Sequence, residues 1–434
     1  MSMTSGTISR VWGRRVWDSR GRPTLEVEVR LANGSRGRAI APAGASRGNN
    51  EALDLRDGGE ALAGYGVDRA LSHVNGEIAA MLIGRSALAQ EEIDRDLAAL
   101  DGTPTKSRLG GNAIVATSMA LLHASAQLQG EPLYAYLAQG RPCRLPMPEV
   151  QIFGGGAHAG RRVDIQDFMI VPLGAQSFDE ALVMSAEVYR AAGELMAVAG
   201  RLYGVADEGG FWPAFDSNEE ALTTLVRAIE RAGFRLLDEV GISLDVAASQ
   251  FHRDGDYTLG RDRRVLDSDG MCELLLSWIA RYPIVSIEDP LAEDDVAGIT
   301  RFTAAVGTRV QIVGDDFLVT NAQRVTDAAA AGACNAVLIK PNQAGTVTET
   351  KAALQAAKRA RWGTIVSARS GETEDVTIVH LAVGWDAGQL KVGSFARSER
   401  MAKWNEGLRI EEALGGAALF AGRSAFRPGG NGGE

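Results

Sequence analysis

The chain has 434 residues, 45% hydrophobic, 23% charged and only 6% aromatic, with a formal net charge of -10 at pH 7. That length accommodates a large barrel plus a second domain, and the balance is that of a soluble globular protein. The acidic excess argues against nucleic acid or an anionic membrane surface as a partner, but leaves a small anionic substrate open, because local lysines, arginines or metal ions set the potential inside a cleft.

Three cysteines, Cys143, Cys272 and Cys334, show no C-x-x-C spacing, which argues for a reducing compartment and against a disulfide or zinc framework. Met1 to Arg15 carries polar residues and arginines without the apolar core of a signal peptide, and no stretch reaches the length of a membrane span. A cytoplasmic location is expected.

Thr24 to Leu31 alternates, with Leu25, Val27, Val29 and Leu31 on one face and Glu26, Glu28 and Arg30 on the other. Asn33-Gly34 follows, so this is a half-exposed antiparallel strand entering a hairpin. Ala41 to Gly48 is small and glycine-rich and is expected to be a loop. Val67 to Ile83, Ala89 to Leu100 and Asn112 to Leu128 are helical in pattern, which makes residues 1–139 an α+β unit. Pro142 to Pro148 is predicted to be a linker into a second domain over 140–424, and the glycine-rich end, 425–434, a flexible tail, with disorder expected from Gly422 onward.

The second domain opens with Phe153 to Gly160, a loop carrying His158. Ile165 to Val171 follows, then a helical stretch, Ser177 to Leu202, and the turn Ala206-Asp207-Glu208-Gly209-Gly210. From there one arrangement recurs. Ile242-Ser243-Leu244 ends in Asp245, the run from Ile284 to Ile287 in Glu288 and Asp289, and Val310 to Gly314 in Asp315 and Asp316. Ala336 to Ile339 ends in Lys340, Thr364 to Ala368 in Arg369, and Gln389-Leu390 in Lys391. Helical patterns, such as Gly270 to Tyr282, Asn321 to Gly332 and Thr346 to Trp362, lie between them. Strands and helices alternating at intervals of roughly 25 to 45 residues, with each strand closing on an ionisable group, predict an α/β fold, a (β/α)8 barrel with its site at the strands' C-terminal ends. Ordinary loop charges explain one such strand; they do not explain six in succession.

Asp245, Glu288 and Asp315, on consecutive strands, are hard oxygen ligands expected to converge on one point. Without histidine or cysteine among them they favour Mg²⁺ or Mn²⁺ over zinc or copper. Salt-bridged carboxylates at loop starts are the bland alternative, against which stand Lys340 and Lys391, expected to face the same cavity. A cation beside a cation beside a metal lowers a lysine's pKa toward that of a usable base. Such a pair suits abstraction of a weakly acidic proton next to a carboxylate, and Glu208 and Asp167, across the barrel, would protonate a departing hydroxide. His73, His123 and His380 sit in helical patterns and are expected to be structural, as are Trp278 and Trp385. His252 lies at a turn near the site.

With those residues assembled, the chain resembles the enolase family, the phosphopyruvate hydratases, from Val16-Trp17-Asp18-Ser19-Arg20-Gly21 to Leu408-Arg409-Ile410-Glu411-Glu412. The motifs are Leu100-Asp101-Gly102-Thr103 with Lys106-Ser107, Ser286 to Pro290, Ser370 to Asp375, and Ala396-Arg397-Ser398-Glu399-Arg400. The resemblance implies an N-terminal α+β domain capping a barrel whose second strand is antiparallel, two Mg²⁺ per site, and a homodimer or larger homo-oligomer. It implies Asp245, Glu288 and Asp315 as ligands of the first ion, with Ser46 helping to hold the second beside the substrate phosphate. Lys340 matches the general base, Glu208 the acid, Lys391 the partner of the substrate carboxylate, Arg369 and Ser370 phosphate contacts, and His158 the histidine of the mobile loop. Gln166 precedes the acidic position, here Asp167, and counts among the substrate contacts. The implied substrate is a small phosphorylated or phosphonylated carboxylate.

Four departures from the family pattern concern the rim: Asp167 for glutamate, Ala368 for a histidine, Ala43 and Arg47 for serine and threonine, and a shortened segment before Asp207 followed by Phe211-Trp212 for small residues. The altered rim resembles that of carboxyphosphonoenolpyruvate synthase, an enolase relative of phosphinate antibiotic biosynthesis, whose extra carboxylate Arg47 and the space at Ala368 would suit. Muconate- and mandelate-type relatives carry Lys-x-Lys on an early strand, where Asp164-Ile165-Gln166-Asp167 stands here. An inactive homologue kept for a binding role would be expected to have lost a ligand or a lysine, and all are present.

Overall fold

The computed structural model describes residues 6–426. The chain begins with an antiparallel meander of β1 (Ile8–Trp17), β2 (Pro23–Leu31) and β3 (Arg36–Ile40). Leu25, Val27, Val29 and Leu31 of β2 are buried, as the alternation requires. β1 is a strand the sequence reading passed over. Its arginines hide the apolar period, because Arg14 reaches across to Glu26 at 2.6 Å and to Glu28 at 3.1 Å. Those pairs also cover Glu26, so the face of β2 expected to be open to water is largely closed.

Residues 68–82 are helical with one π-type turn, Val74–Ile78, and are followed by α1 (Gln90–Asp101) and α2 (Gly111–Gln129). α2 is apolar on nearly every side and runs through the middle of this unit, packed on β2 and β3. At Gly37 a Cβ would stand 2.0 Å from the Ala120 carbonyl oxygen, so the sheet reaches the helix only because that residue is glycine.

Eight strands close the barrel. The first two are β4 (Met147–Gly154) and β5 (Asp167–Val171), and α3 (Phe178–Val198) and α4 (Asn218–Arg231) then lead to β6 (Gly241–Asp245). Next come α5 (Ser268–Arg281), β7 (Ile284–Glu288), α6 (Val296–Val306), β8 (Gln311–Gly314) and α7 (Ala322–Ala331). The circuit ends with β9 (Ala336–Ile339), α8 (Val347–Arg359), β10 (Gly363–Ser367), α9 (Thr377–Gly384), β11 (Gln389–Gly393) and α10 (Ser398–Leu414). β5 is antiparallel to both of its neighbours, and the other contacts around the barrel are parallel. Helix starts follow local chemistry: Ser177, Ser217 and Thr346 each accept a hydrogen bond from the backbone of a glutamate three residues on.

Two predicted segments are more ordered than expected. Within the proline-rich passage, Arg144–Leu145 pairs in parallel with Leu419–Phe420, and Met147 already belongs to β4. Gly422–Phe426 forms a 3-10 turn whose Phe426 is buried with Met147, Val171 and Leu173; the rest of the tail, 427–434, lies outside the described residues. Burial of an aromatic side chain against the barrel floor is reason enough for that turn to dock. Among the described residues no helix is long and apolar enough to cross a membrane.

Candidate active site

The parallel strands deliver their last residues to one mouth, and β5, running the other way, delivers its first. Asp245 and Glu288 end β6 and β7, Lys391 lies on β11, and Asp167 begins β5. All four are buried. The Lys391 ammonium donates to Asp245 Oδ2 at 3.0 Å and Glu288 Oε2 at 2.7 Å, and stands 3.5 Å from Asp167 Oδ2. Next to it Lys340 pairs with Asp315 Oδ2, whose other oxygen accepts from Gln343 Nε2 at 2.9 Å. Asp289, held at φ 40, braces this corner by accepting from the backbone N–H groups of Asp315 and Asp316 at 2.9 and 2.8 Å.

Across the mouth, His158 Nδ1 meets Asp167 Oδ1 at 2.9 Å and His158 Nε2 lies 3.7 Å from Glu208 Oε1. Burial opposes protonation of this imidazole, but Asp167 and Glu208 outweigh it and raise its pKa to about 9. Burial likewise works against ionisation of Asp167, yet His158, Lys391 and the hydrogen bond from Gln151 hold its carboxyl below the usual range. An ionised Asp167 accepts from His158 and Gln151, an arrangement that positions the imidazole. Gln166 donates to Asp245 Oδ2 at 2.8 Å.

On the third side, the Arg369 guanidinium is held by Glu51 Oε2 at 3.0 Å, Asn342 Oδ1 at 3.0 Å and the Ser46 carbonyl at 2.9 Å. The Ser370 hydroxyl accepts from Ala45 N at 2.7 Å, which docks the glycine-rich loop on the barrel mouth. Ser46, Ala368, Arg369, Ser370, His158, Glu208 and both lysines thus line one cleft, of about 10 Å³ with the side chains drawn together this closely.

One expectation is corrected. Arg47 is exposed and lies outside the cleft lining, because its neighbour Ser46 is the residue turned inward. Asp245, Glu288 and Asp315 stand around the two lysines, and among the described residues the groups whose ligand atoms lie within 4.8 Å of one another are Asp289, Asp315 and Asp316, and His158, Asp167 and Glu208. Lys391 bridges Asp245 and Glu288, and Lys340 pairs with Asp315. The lowered pKa expected of Lys340 depends on a metal beside it, and the protein's own groups balance differently. Burial lowers its pKa and Arg369 and Lys391 add to that, but the ion pair with Asp315 prevails and the net shift is upward.

The carboxylates nevertheless fit a divalent cation. Asp245 Oδ1 and Glu288 Oε1 are buried without a hydrogen-bond partner. Burial, and then repulsion from Asp245 and Asp315, push the Glu288 carboxyl well above its usual pKa, a surplus of negative charge that a hard cation would relieve.

Sequence reasoning missed Glu51, Gln343 and Gln151. Gln151 and Glu149 were visible as polar residues inside the buried run of β4, while Glu51 carried no local signal. His123 and His380 are structural as expected: His123 Nε2 meets Thr377 Oγ1 at 2.8 Å, and His380 stacks on Tyr134. His252 opens a small three-stranded sheet spanning 252–266.

Two domain models match the chain: Enolase, N-terminal domain, over residues 8–137, and Enolase, C-terminal TIM barrel domain, over residues 142–428. Enolase 1 of Desulfitobacterium hafniense (strain Y51) is 47% identical over 422 residues, covering 96% of this chain and 97% of that protein. A barrel with a reversed second strand, two buried lysines among strand-end carboxylates and matches along both halves converge on one conclusion: the chain belongs to the enolase family and is a lyase of the enolase type.

Proposed function

We propose that the protein eliminates water from 2-phosphoglycerate or a close analogue, in a Mg²⁺-dependent reaction giving phosphoenolpyruvate or its analogue. The observation that carries this is the presence of Lys340 and the Glu208–His158 pair in the lining of one cleft, a base and an acid in a space that must open to admit a substrate. Two Mg²⁺, one held by Asp245, Glu288 and Asp315 and one near Ser46, would supply the positive charge that stabilises the substrate carboxylate as it gains a second negative charge.

Lys340 accepts the proton from the carbon next to the carboxylate, and Lys391 pairs with and orients that carboxylate. Glu208 delivers a proton to the hydroxyl on the neighbouring carbon, so that hydroxide leaves as water and the electron pair of the broken C–H bond becomes the new double bond. The charged His158 beside Glu208 is placed to reprotonate it, Asp167 fixes that imidazole, and Gln166 completes the wall. Arg369, Ser370 and Ser46 take the phosphate. A cation held by Asp315 would compete with Lys340 for that carboxylate and so would favour the neutral form of the base.

A second reading, a phosphonate or phosphinate analogue such as the carboxyphosphono substrate, is favoured by Ala368, which lines the cleft where the family pattern has a bulkier histidine. Arg47, being exposed, no longer supports it. Three buried free thiols agree with a reducing cytoplasm, and a homodimer or larger assembly is part of this reading. The test is Mg²⁺-dependent ultraviolet absorbance of the enol product from 2-phosphoglycerate, with Lys340→Ala as control. Turnover lost in the variant supports the first reading, and a folded, Mg²⁺-binding protein with little turnover moves the assay to the carboxyphosphono compound.

A further inference from the structure

The loop joining β4 to β5 is tied by Gly155 N to Gln166 O at 2.7 Å, Gly156 N to Val163 O at 3.1 Å and Arg161 N to Gly156 O at 2.7 Å. The turn places Arg161 at φ 58, in the left-handed region that few side chains occupy, with Arg162 next in line. The small sheet of 252–266 brings Arg253 and Arg261 to the opposite wall, and the space between is a cleft of about 740 Å³.

Four arginines against a single carboxylate, Asp164, line this cleft. Asp164 is engaged elsewhere: its oxygens accept from Gly260 N at 2.9 Å, Arg261 N at 3.1 Å and Asn218 Nδ2 at 2.7 Å. Arg261 is held by Asp216 at 2.6 Å. Arg161, Arg162 and Arg253 make no side-chain hydrogen bond or ion pair among the described residues. In a chain of net charge -10 this is a local reversal of sign. Trp212 forms an apolar wall, its segment fixed by Phe211 stacked on Tyr189 at 4.3 Å; charge beside a low-dielectric wall focuses the field.

The cleft adjoins the catalytic mouth. Gln250, in its lining, donates to Gln166 and accepts from Ala157 N at 3.0 Å, and Gly160 lies two residues beyond His158. We propose that this outer cleft is an anion-capture site, in which Arg161, Arg162 and Arg253 hold multiply charged phosphate-bearing anions before they pass into the catalytic cleft. Guanidinium forks suit both phosphate and carboxylate oxygens. That the captured anion is the substrate rests on the function proposed above; that the cleft binds such anions does not.

The variant is Arg161→Gln/Arg162→Gln/Arg253→Gln, three side chains outside the catalytic machinery. With 2-phosphoglycerate the expectation is an unchanged kcat, and a kcat/KM lowered about tenfold at low ionic strength with the gap closing as salt screens the field. Independently of turnover, inorganic pyrophosphate titrated calorimetrically should bind the wild-type protein with one more equivalent than the variant. Equal pyrophosphate uptake by both proteins, or an equal salt dependence of kcat/KM, overturns the proposal. Absence of turnover in both proteins counts against the assigned substrate, and the pyrophosphate stoichiometry then decides the capture site by itself.

Discussion

The barrel mouth and the outer arginine cleft lie side by side and handle charge in opposite ways. In the mouth every cation has an anion: Lys391 with Asp245 and Glu288, Lys340 with Asp315, Arg369 with Glu51, His158 with Asp167. Burial makes each unpaired charge costly there, so the groups are locked together and the remaining space is about 10 Å³. In the outer cleft, with about 740 Å³ open to water, three guanidinium groups have no partner among the described residues because solvent bears the cost. Compensated charge sets positions, and uncompensated charge projects a field.

The contrast can be broken by removing a cation from the mouth. Lys340→Ala is expected to lower turnover by about 10⁴-fold, the upper range for loss of a general base, measured from the absorbance of the enol product. Lys391→Met leaves Asp245 and Glu288 facing each other in a buried site. Denaturant unfolding without divalent cations should show a loss of about 3–5 kcal/mol, largely restored by Mg²⁺. A loss that Mg²⁺ does not restore would disqualify those carboxylates as ligands. In the wild-type protein, chelation should lower the unfolding free energy by about 2.7 kcal/mol if the ion had been present at 100 times its Kd.

Smaller effects sharpen the comparison. Ala368→His should change KM a few-fold while leaving kcat nearly intact, with opposite signs for 2-phosphoglycerate and the carboxyphosphono compound; parallel changes would show that this wall does not select the substrate. Away from both clefts, burial lowers the pKa of His380 from 6.5 to about 4 despite Glu406 nearby. The unfolded chain then takes up a proton that the folded one refuses. Stability therefore falls as pH drops from about 6.5 toward 4 and levels off below, and His380→Gln should flatten that limb of a Tm-against-pH curve.

The strand ends were legible because a buried parallel strand is a continuous apolar run, and the charge that stops it marks the mouth. Their partners were not. Glu51 meets Arg369 across 318 positions, and no local pattern announces such a pair. Asp245, Glu288 and Asp315 stand in consecutive strands, but whether carboxylates converge or are parted by a lysine depends on which neighbours share the space. Arg47 shows the same limit at shorter range, since adjacency to Ser46 says nothing about which side chain turns inward. β1 was hidden by its own arginines, whose partners lie on β2.

The reversed β5 has a consequence for how this barrel can change. In a fully parallel barrel the second strand would bring its last residue to the mouth after a crossover helix on the outside. Here the chain comes up β4, turns over the mouth through 155–166 and goes down β5, so Gln166 and Asp167 reach the site with only the 3-10 turn Gly156–Ala159 between and no crossover helix. The roof over the chemistry is therefore a hairpin connection. Apart from His158, which contacts Asp167 and Glu208, its side chains can be exchanged without shifting the register of any barrel strand, so new substrate preferences can arise in this roof while the strand-end groups below stay as they are.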